Sequence, residues 1–163
     1  MALLWRSGKG VSIKEIGKKM YLFIVYHRLG MDHVLDGGPW FFERNLLSLK
    51  EVKPEDSPLK IDLKEAEFWV QVYNVPYSLM NLGTARRIDN FIGSFVKYDD
   101  NQFDEKWEAY LCVRVCMDVS KSLKKGTTLK KSRIEHWVDF KYEKLPIFCF
   151  ICGIIGHAIM FVL

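Results

Sequence analysis

Two cysteines and a histidine near the end of the sequence constrain this chain more than any other feature. They follow the spacing Cys149-x2-Cys152-x4-His157, with Gly153 directly after the second cysteine and Gly156 directly before the histidine. Two thiolates at this spacing reach adjacent vertices of one tetrahedral Zn²⁺, and the histidine reaches a third. The glycines relieve backbone crowding in so tight a loop. We therefore predict that the three residues descend from a zinc site.

The zinc motif lacks its fourth ligand. The full spacing of a zinc knuckle is Cys-x2-Cys-x4-His-x4-Cys, so the last cysteine would stand where this sequence has Val162. Structural zinc sites are closed four-ligand cages, and zinc supplies much of their folding energy. Zinc is therefore an uncertain cofactor of an incomplete knuckle. Phe148 and Phe150 flank the first cysteine and are candidates for stacking on an unpaired base.

Positive charge is concentrated just before the cysteine motif. The segment 121–144 holds eight basic and three acidic residues, a net charge of +5, so the rest of the chain carries −1 of the total +4. This asymmetry favours a polyanionic partner, because lysine and arginine bind nucleic-acid phosphates by releasing counterions. A solvated lysine-rich loop is the alternative. The candidate phosphate contacts are Lys121, Lys124, Lys125, Lys130, Lys131, Arg133, Lys141 and Lys144.

The composition and the motifs argue against several classes of protein. With 163 residues, 49% of them hydrophobic, the chain can build a core. No apolar run reaches the ~18 residues that would span a bilayer, and no secretory signal precedes the four cysteines. We expect an intracellular protein, with nucleus or cytoplasm unresolved. The sequence has no nucleophile elbow, glycine-rich phosphate loop or metalloprotease motif, so we expect no enzyme activity.

Turn residues and periodicity predict an α+β chain in three parts. A polar linker with two prolines, residues 53–58, separates a truncated N-terminal half (1–52) from a second half (59–146), and an incomplete knuckle with an apolar tail follows (147–163). We expect antiparallel sheets with few helices, in ferredoxin-like or RNA-recognition-like halves.

The individual elements are predicted from their apolar periodicity. The first half should contain strands over 11–16, 20–26 and 40–49 and a helix over 29–35. The second half should contain strands over 66–75, 94–98, 109–119 and 136–142, a helix over 79–91 and a turn at 124–126. The strand over 20–26 should be buried on both faces or nearly so. The helix over 79–91 should place Leu82, Ala85, Ile88 and Phe91 on its apolar side and Asp89 on its polar side.

Alternation places aromatic residues together on two strands of the second half. Trp69 and Tyr73 share one face of their strand, and Tyr110 shares a face with Arg114. The three rings are candidates for stacking bases on an open sheet face, with Arg114 as a phosphate contact. Packing of the rings against a helix or the linker is the alternative.

Four stretches in fixed order resemble one plant family. They are V-L-D-G-G-P-W (34–40), F-W-V-Q-V (68–72), Y-L (110–111) with V-R-V (113–115), and V-D-F-K-Y-E-K-L-P (138–146), while Cys112 departs from the family pattern. The sequence resembles the conserved domain of unknown function that precedes a CCHC zinc knuckle in LINE-type retrotransposon-derived proteins. The resemblance implies a nucleic-acid-binding role, and we expect weak, sequence-independent binding of single-stranded RNA or DNA. The alternative is a protein-interaction module or a non-functional truncated remnant, and an open sheet edge would allow self-association.

Overall fold

The structure is a computed structural model that describes residues 11–99, 110–146, 148 and 152–155. The chain divides into two compact units between Leu63 and Lys64. The described strands pair antiparallel, and the described part of each unit contains one α-helix, which confirms the predicted α+β class. Among the described residues, no helix is long and apolar enough to cross a membrane.

The first unit contains two separate hairpins and a helix. Its elements are β1 (Val11–Gly17), β2 (Met20–Val25), α1 (Arg28–Asp36), β3 (Trp40–Phe42) and β4 (Asn45–Leu47), with a 3₁₀ turn at Pro58–Lys60. The prediction of one strand over 40–49 is wrong, because the chain reverses at Glu43 and Arg44. Both residues have positive φ, 48° and 66°. Neither is one of the glycine, asparagine or aspartate residues that usually mark such a turn.

The first unit buries few of its apolar side chains. Val34 on α1 is buried, and its carbonyl oxygen accepts a 2.5 Å hydrogen bond from the Trp40 indole. Tyr21 and Ile24 on β2 are 46% and 44% exposed, so the prediction that this strand is buried on both faces is wrong. β1 and β2 form a two-stranded sheet, and no other described strand pairs with either of them. An apolar cavity of about 520 Å³ lies beside β2 and α1.

The second unit is a five-stranded antiparallel sheet with one α-helix. Its elements are β5 (Glu65–Tyr73), α2 (Leu82–Ile92), β6 (Ser94–Tyr98), β7 (Tyr110–Asp118), β8 (Gly126–Lys131) and β9 (Ile134–Tyr142), with a 3₁₀ turn at Tyr77–Leu79. The strand order is β6-β7-β5-β9-β8. β5 and β6 both pair antiparallel with β7, so β5, α2 and β6 form a split β-α-β unit of the ferredoxin-like kind. Between β7 and β9, the chain forms β8 where that fold has its second helix.

The core of the second unit lies between α2 and one face of the sheet. Strict alternation along β5 buries Phe68, Val70 and Val72 completely, while the intervening side chains stay partly exposed. On α2, the side chain of Ile88 is 1% exposed and that of Asp89 is 0% exposed. The prediction that Asp89 faces solvent is therefore wrong. The helix is rotated from the predicted orientation, and its periodic residues Leu82 and Phe91 are each 41% exposed.

The segment after β7 contains a strand that the sequence did not reveal. β8 starts at Gly126, inside the predicted turn 124–126, and pairs with β9 from Gly126↔Asp139 to Lys131↔Ile134. The hairpin turn lies instead at Ser132 and Arg133, with φ of 49° and 69°. Much of the basic segment is therefore folded into β8 and β9, whereas Lys121, Lys124 and Lys125 lie in the connection before β8.

Candidate nucleic-acid interface

The basic segment and the knuckle meet at one hydrogen bond. Leu123 lies in the connection that precedes β8, and its backbone N–H donates to the carbonyl oxygen of Gly153 at 2.9 Å. A Cβ added to Gly153 would lie 3.4 Å from the Leu123 nitrogen and 3.6 Å from its oxygen, so the two backbones are close. The lysines that flank Leu123 are therefore placed beside the knuckle.

The connection before β8 is also held by β9. The Phe140 N–H donates to the Lys125 carbonyl oxygen, and the Tyr142 hydroxyl donates to the Lys124 carbonyl oxygen, both at 2.8 Å. Burial raises the pKa of Tyr142 to about 12, so this hydroxyl keeps its proton at neutral pH. Three hydrogen bonds thus fix the backbone that carries the lysines nearest the knuckle. Sequence reasoning missed both anchors, since Tyr142 reads simply as a strand residue.

The described part of the knuckle is a tight turn. Phe148 and Ile155 form an antiparallel bridge on either side of it. Gly153 has φ of 72°, a left-handed conformation that favours glycine, directly after the partly buried Cys152. The structure thus gives a local reason for glycine at this position. We refer to Phe148 together with residues 152–155 as the knuckle turn.

Most of the predicted zinc ligands fall outside the described residues. Cys152 is described, whereas Cys149, His157 and the stacking candidate Phe150 are not. Within the described ranges, no three metal-ligating side chains come together. The sequence spacing therefore remains the basis for the zinc prediction.

The eight predicted phosphate contacts are all exposed, but β8 divides them into two groups. One group lies at the end of the β8–β9 hairpin that meets the knuckle turn, and the other lies at the hairpin tip. Because β8 has six residues, the groups are about 17 Å apart at the usual rise of a strand. The base group consists of Lys121, Lys124, Lys125, Lys141 and Lys144, and the tip group consists of Lys130, Lys131 and Arg133.

Some of these basic side chains already have partners within the protein. The Lys124 ammonium donates to the carbonyl oxygen of Phe91 and lies 3.9 Å from the centroid of that ring. It therefore ties the base group to the C-terminal end of α2. Lys130 pairs with Glu135 at 2.7 Å, but both side chains are more than half exposed. An exposed pair of this kind contributes little stability, so a phosphate could replace the carboxylate.

A second group of side chains lies on the sheet face opposite α2. This aromatic face consists of Trp69 and Tyr73 on β5 and Tyr110 on β7, with Lys97 and Lys141 beside them. The three rings are partly buried. The helix packs on the other face, so these rings do not pack against α2.

Arg114 does not act as the predicted phosphate contact. It is 1% exposed, and its Nε donates to Glu67 Oε2 at 2.8 Å. Its guanidinium carbon lies 5.8 Å from the Trp69 ring centroid. The ion pair therefore keeps the arginine inside the sheet face, where it supports Trp69.

Two family models match separate parts of the chain. Residues 1–60 match the model described as Domain of unknown function (DUF4283), and residues 117–162 match the model described as Zinc knuckle. The predicted order, a domain of unknown function followed by a zinc knuckle, is confirmed. The knuckle match begins at the end of β7 and covers β8, β9 and all three predicted ligands. Comparison with curated proteins and with solved structures gave no match.

Proposed function

We propose that this chain binds single-stranded nucleic acid weakly and without sequence preference, through the base group and the knuckle turn. The observation that carries the proposal is the hydrogen bond between Leu123 and Gly153, which places the base group beside the turn. The lysines would contact phosphates, and Phe148 and Phe150 would contact bases. The zinc knuckle match supports a nucleic-acid partner.

We also infer that the chain derives from a LINE-type retrotransposon of a plant. The order of the two family matches supports this origin, together with the four stretches that resemble the family. A binding role without catalysis fits such an origin.

Zinc fits the donor set of the knuckle incompletely. Cys149, Cys152 and His157 are ligand types that zinc prefers, whereas Val162 has no donor atom. A bound ion would fix the loop between the two cysteines, and a non-protein donor such as water would complete the tetrahedron. The base group does not depend on this ion, because hydrogen bonds from β9 hold its backbone.

A protein-interaction role is the second candidate, and exposed apolar side chains of the first unit favour it. Tyr26, Leu29 and Leu59 are 60%, 85% and 63% exposed. Association through such residues would bury apolar area and would not weaken as salt rises. Salt dependence therefore separates the two candidates.

The test is fluorescence anisotropy of a labelled 12-nucleotide oligo(U) titrated with the protein at increasing NaCl concentrations. We expect the logarithm of the affinity to fall linearly with the logarithm of salt. A variant that carries Lys121→Gln, Lys125→Gln and Lys144→Gln should reduce that slope by about 2, because each phosphate contact on a single strand contributes about 0.7.

The tip group provides a control with the same loss of charge. A variant that carries Lys130→Gln, Lys131→Gln and Arg133→Gln should retain most of the wild-type slope. If the two variants reduce the salt slope equally, net charge determines binding and the position of the base group beside the knuckle does not. Binding that is insensitive to salt would contradict the proposal and favour hydrophobic association.

A further inference from the structure

The aromatic face lies on the two central strands of the five-stranded sheet. β5 and β7 pair in register over their full lengths, with Trp69 opposite Arg114 and Tyr73 opposite Tyr110. Strand alternation points these side chains away from α2, because Val70 and Val72 on the same strand point toward the helix. The three rings therefore share the sheet face opposite α2 and are held by the two central strands.

The rings on this face are arranged in contact with each other and with cations. The Tyr73 and Tyr110 centroids lie 5.1 Å apart at an angle of 36°. The Lys141 ammonium lies 4.1 Å from the Tyr73 centroid, and the Lys97 ammonium lies 6.0 Å from the Trp69 centroid. Each stacking position thus has a cation over one of its rings, and a stacked base would share or replace that contact.

We propose that the aromatic face stacks the bases of single-stranded nucleic acid, with Tyr73 and Tyr110 as one stacking position and Trp69 as another. This inference deepens the proposed function and rests on it. Base–aromatic stacking accepts any base, which suits binding without sequence preference. It also provides base contacts that do not require zinc.

The charge of the aromatic face and its position beside the base group favour single-stranded nucleic acid as its ligand. Lys141 belongs both to the base group and to the aromatic face, so a strand bound at the knuckle end can continue onto the sheet. The carboxylate of Glu67 is paired with Arg114, and that of Glu143 accepts a 2.7 Å hydrogen bond from Gln71. Asp139 lies opposite Tyr73 on β9, and its carboxylate accepts hydrogen bonds from Asn74 and Trp137. These three acids are therefore already hydrogen-bonded or paired, and the ammonium groups of Lys97 and Lys141 lie over the rings.

The spacing along β5 sets the geometry of two stacked bases. Trp69 and Tyr73 are four residues apart, so their side chains leave the strand about 13 Å from each other. The two positions would hold bases that are not adjacent in the bound strand. The intervening position, Gln71, carries an amide whose oxygen accepts a 2.8 Å hydrogen bond from the Tyr73 hydroxyl.

The main test measures the affinity of the full chain for labelled oligo(U) and oligo(dT) at one salt concentration. Tyr73→Leu and Tyr110→Leu should each lower the affinity by roughly tenfold, because they remove a stacking surface. The slope against salt should stay at the wild-type value, since no phosphate contact is lost. Tyr73→Phe should bind as the wild type does, because the ring is retained.

Tyr77→Leu is the matched control, because Tyr77 is 80% exposed in the 3₁₀ turn before α2. It should leave affinity unchanged. A second readout does not depend on the leucine variants being folded. Oligonucleotide should quench tryptophan emission of the wild-type protein, and Trp69→Phe should remove most of that quenching.

The outcomes separate this inference from the proposed function. If the wild type binds oligo(U) with the expected salt slope but folded Tyr73→Leu and Tyr110→Leu bind equally well, the aromatic face is not a base site. Quenching that persists in Trp69→Phe would overturn the Trp69 position. A wild-type protein that binds neither oligonucleotide would overturn both proposals.

Discussion

Asp89 should make the stability of the second unit depend on pH. Its side chain lies at the interface between α2 and the sheet, is 0% exposed, and has no hydrogen-bond partner for either carboxylate oxygen among the described residues. A buried charge without a partner is unfavourable, so the folded protein favours the neutral acid. Burial raises the pKa of Asp89 from 3.8 to about 7.

The sign and size of the effect follow from this pKa. As pH rises, the unfolded chain loses the Asp89 proton near pH 4, whereas the folded protein keeps it until about pH 7. Unfolding releases a proton between these values, so the free energy of unfolding falls across that window and levels off above it. The whole shift corresponds to about 4 kcal/mol, of which about 2–3 kcal/mol is lost between pH 5 and 8.

Asp89→Asn keeps the shape of the side chain and cannot ionise. We expect the free energy of unfolding of the variant, relative to wild type, to grow by about 2–3 kcal/mol from pH 5 to pH 8 in equilibrium urea unfolding. Asp118→Asn is the control. Hydrogen bonds from Ser120 hold the pKa of Asp118 below its usual value, so this carboxyl is ionised in both states above pH 5. If the difference in the free energy of unfolding between Asp89→Asn and wild type stays constant from pH 5 to pH 8, the reasoning is refuted.

Two further predictions concern the packing of Gly93 against the sheet and the zinc site of the knuckle. Gly93→Ala should destabilise the protein by about 2 kcal/mol or more, because its Cβ would overlap the Cys116 carbonyl oxygen on β7. Gly83→Ala, inside α2, is the control, and its free energy of unfolding should stay within about 1 kcal/mol of the wild-type value in urea. If both variants lose the same free energy of unfolding, Gly93 has no specific clash with β7. Val162→Cys should bind zinc more tightly than wild type in competition with a chromogenic chelator, because it completes the four-ligand spacing. Equal affinities would mean that position 162 does not supply a ligand.

Sequence periodicity predicted the central strands well because their two faces have different environments. Along β5, apolar residues alternate without interruption, and the structure buries them on the helix side. The same alternation placed Trp69 and Tyr73 on one face of β5 and Tyr110 with Arg114 on one face of β7, and the pairing of the two strands joins these two faces. A register slip of one residue would turn every side chain of the strand to the opposite face. The period-two pattern of the sequence therefore determines which side chains are buried.

The sequence did not predict features that depend on partners distant in the chain. β8 has a polar composition, G-T-T-L-K-K, and becomes a strand by pairing with β9. The orientation of α2 depends on its fit against the sheet, so an aspartate became buried in place of Leu82 or Phe91. The contact between Leu123 and Gly153 joins backbone atoms thirty positions apart, which side-chain patterns do not encode.

The position of β8 gives the tip group a role that requires no ligand. β8 is an outer strand of the five-stranded sheet, and outer strands can pair with the sheets of other molecules. Lysines at Lys130 and Lys131 place charge on this edge, where a second copy would have to bring like charges together. The other outer strand, β6, has a bulge between Phe95 and Lys97. Both outer strands of the described sheet thus carry a feature that disfavours edge-to-edge pairing.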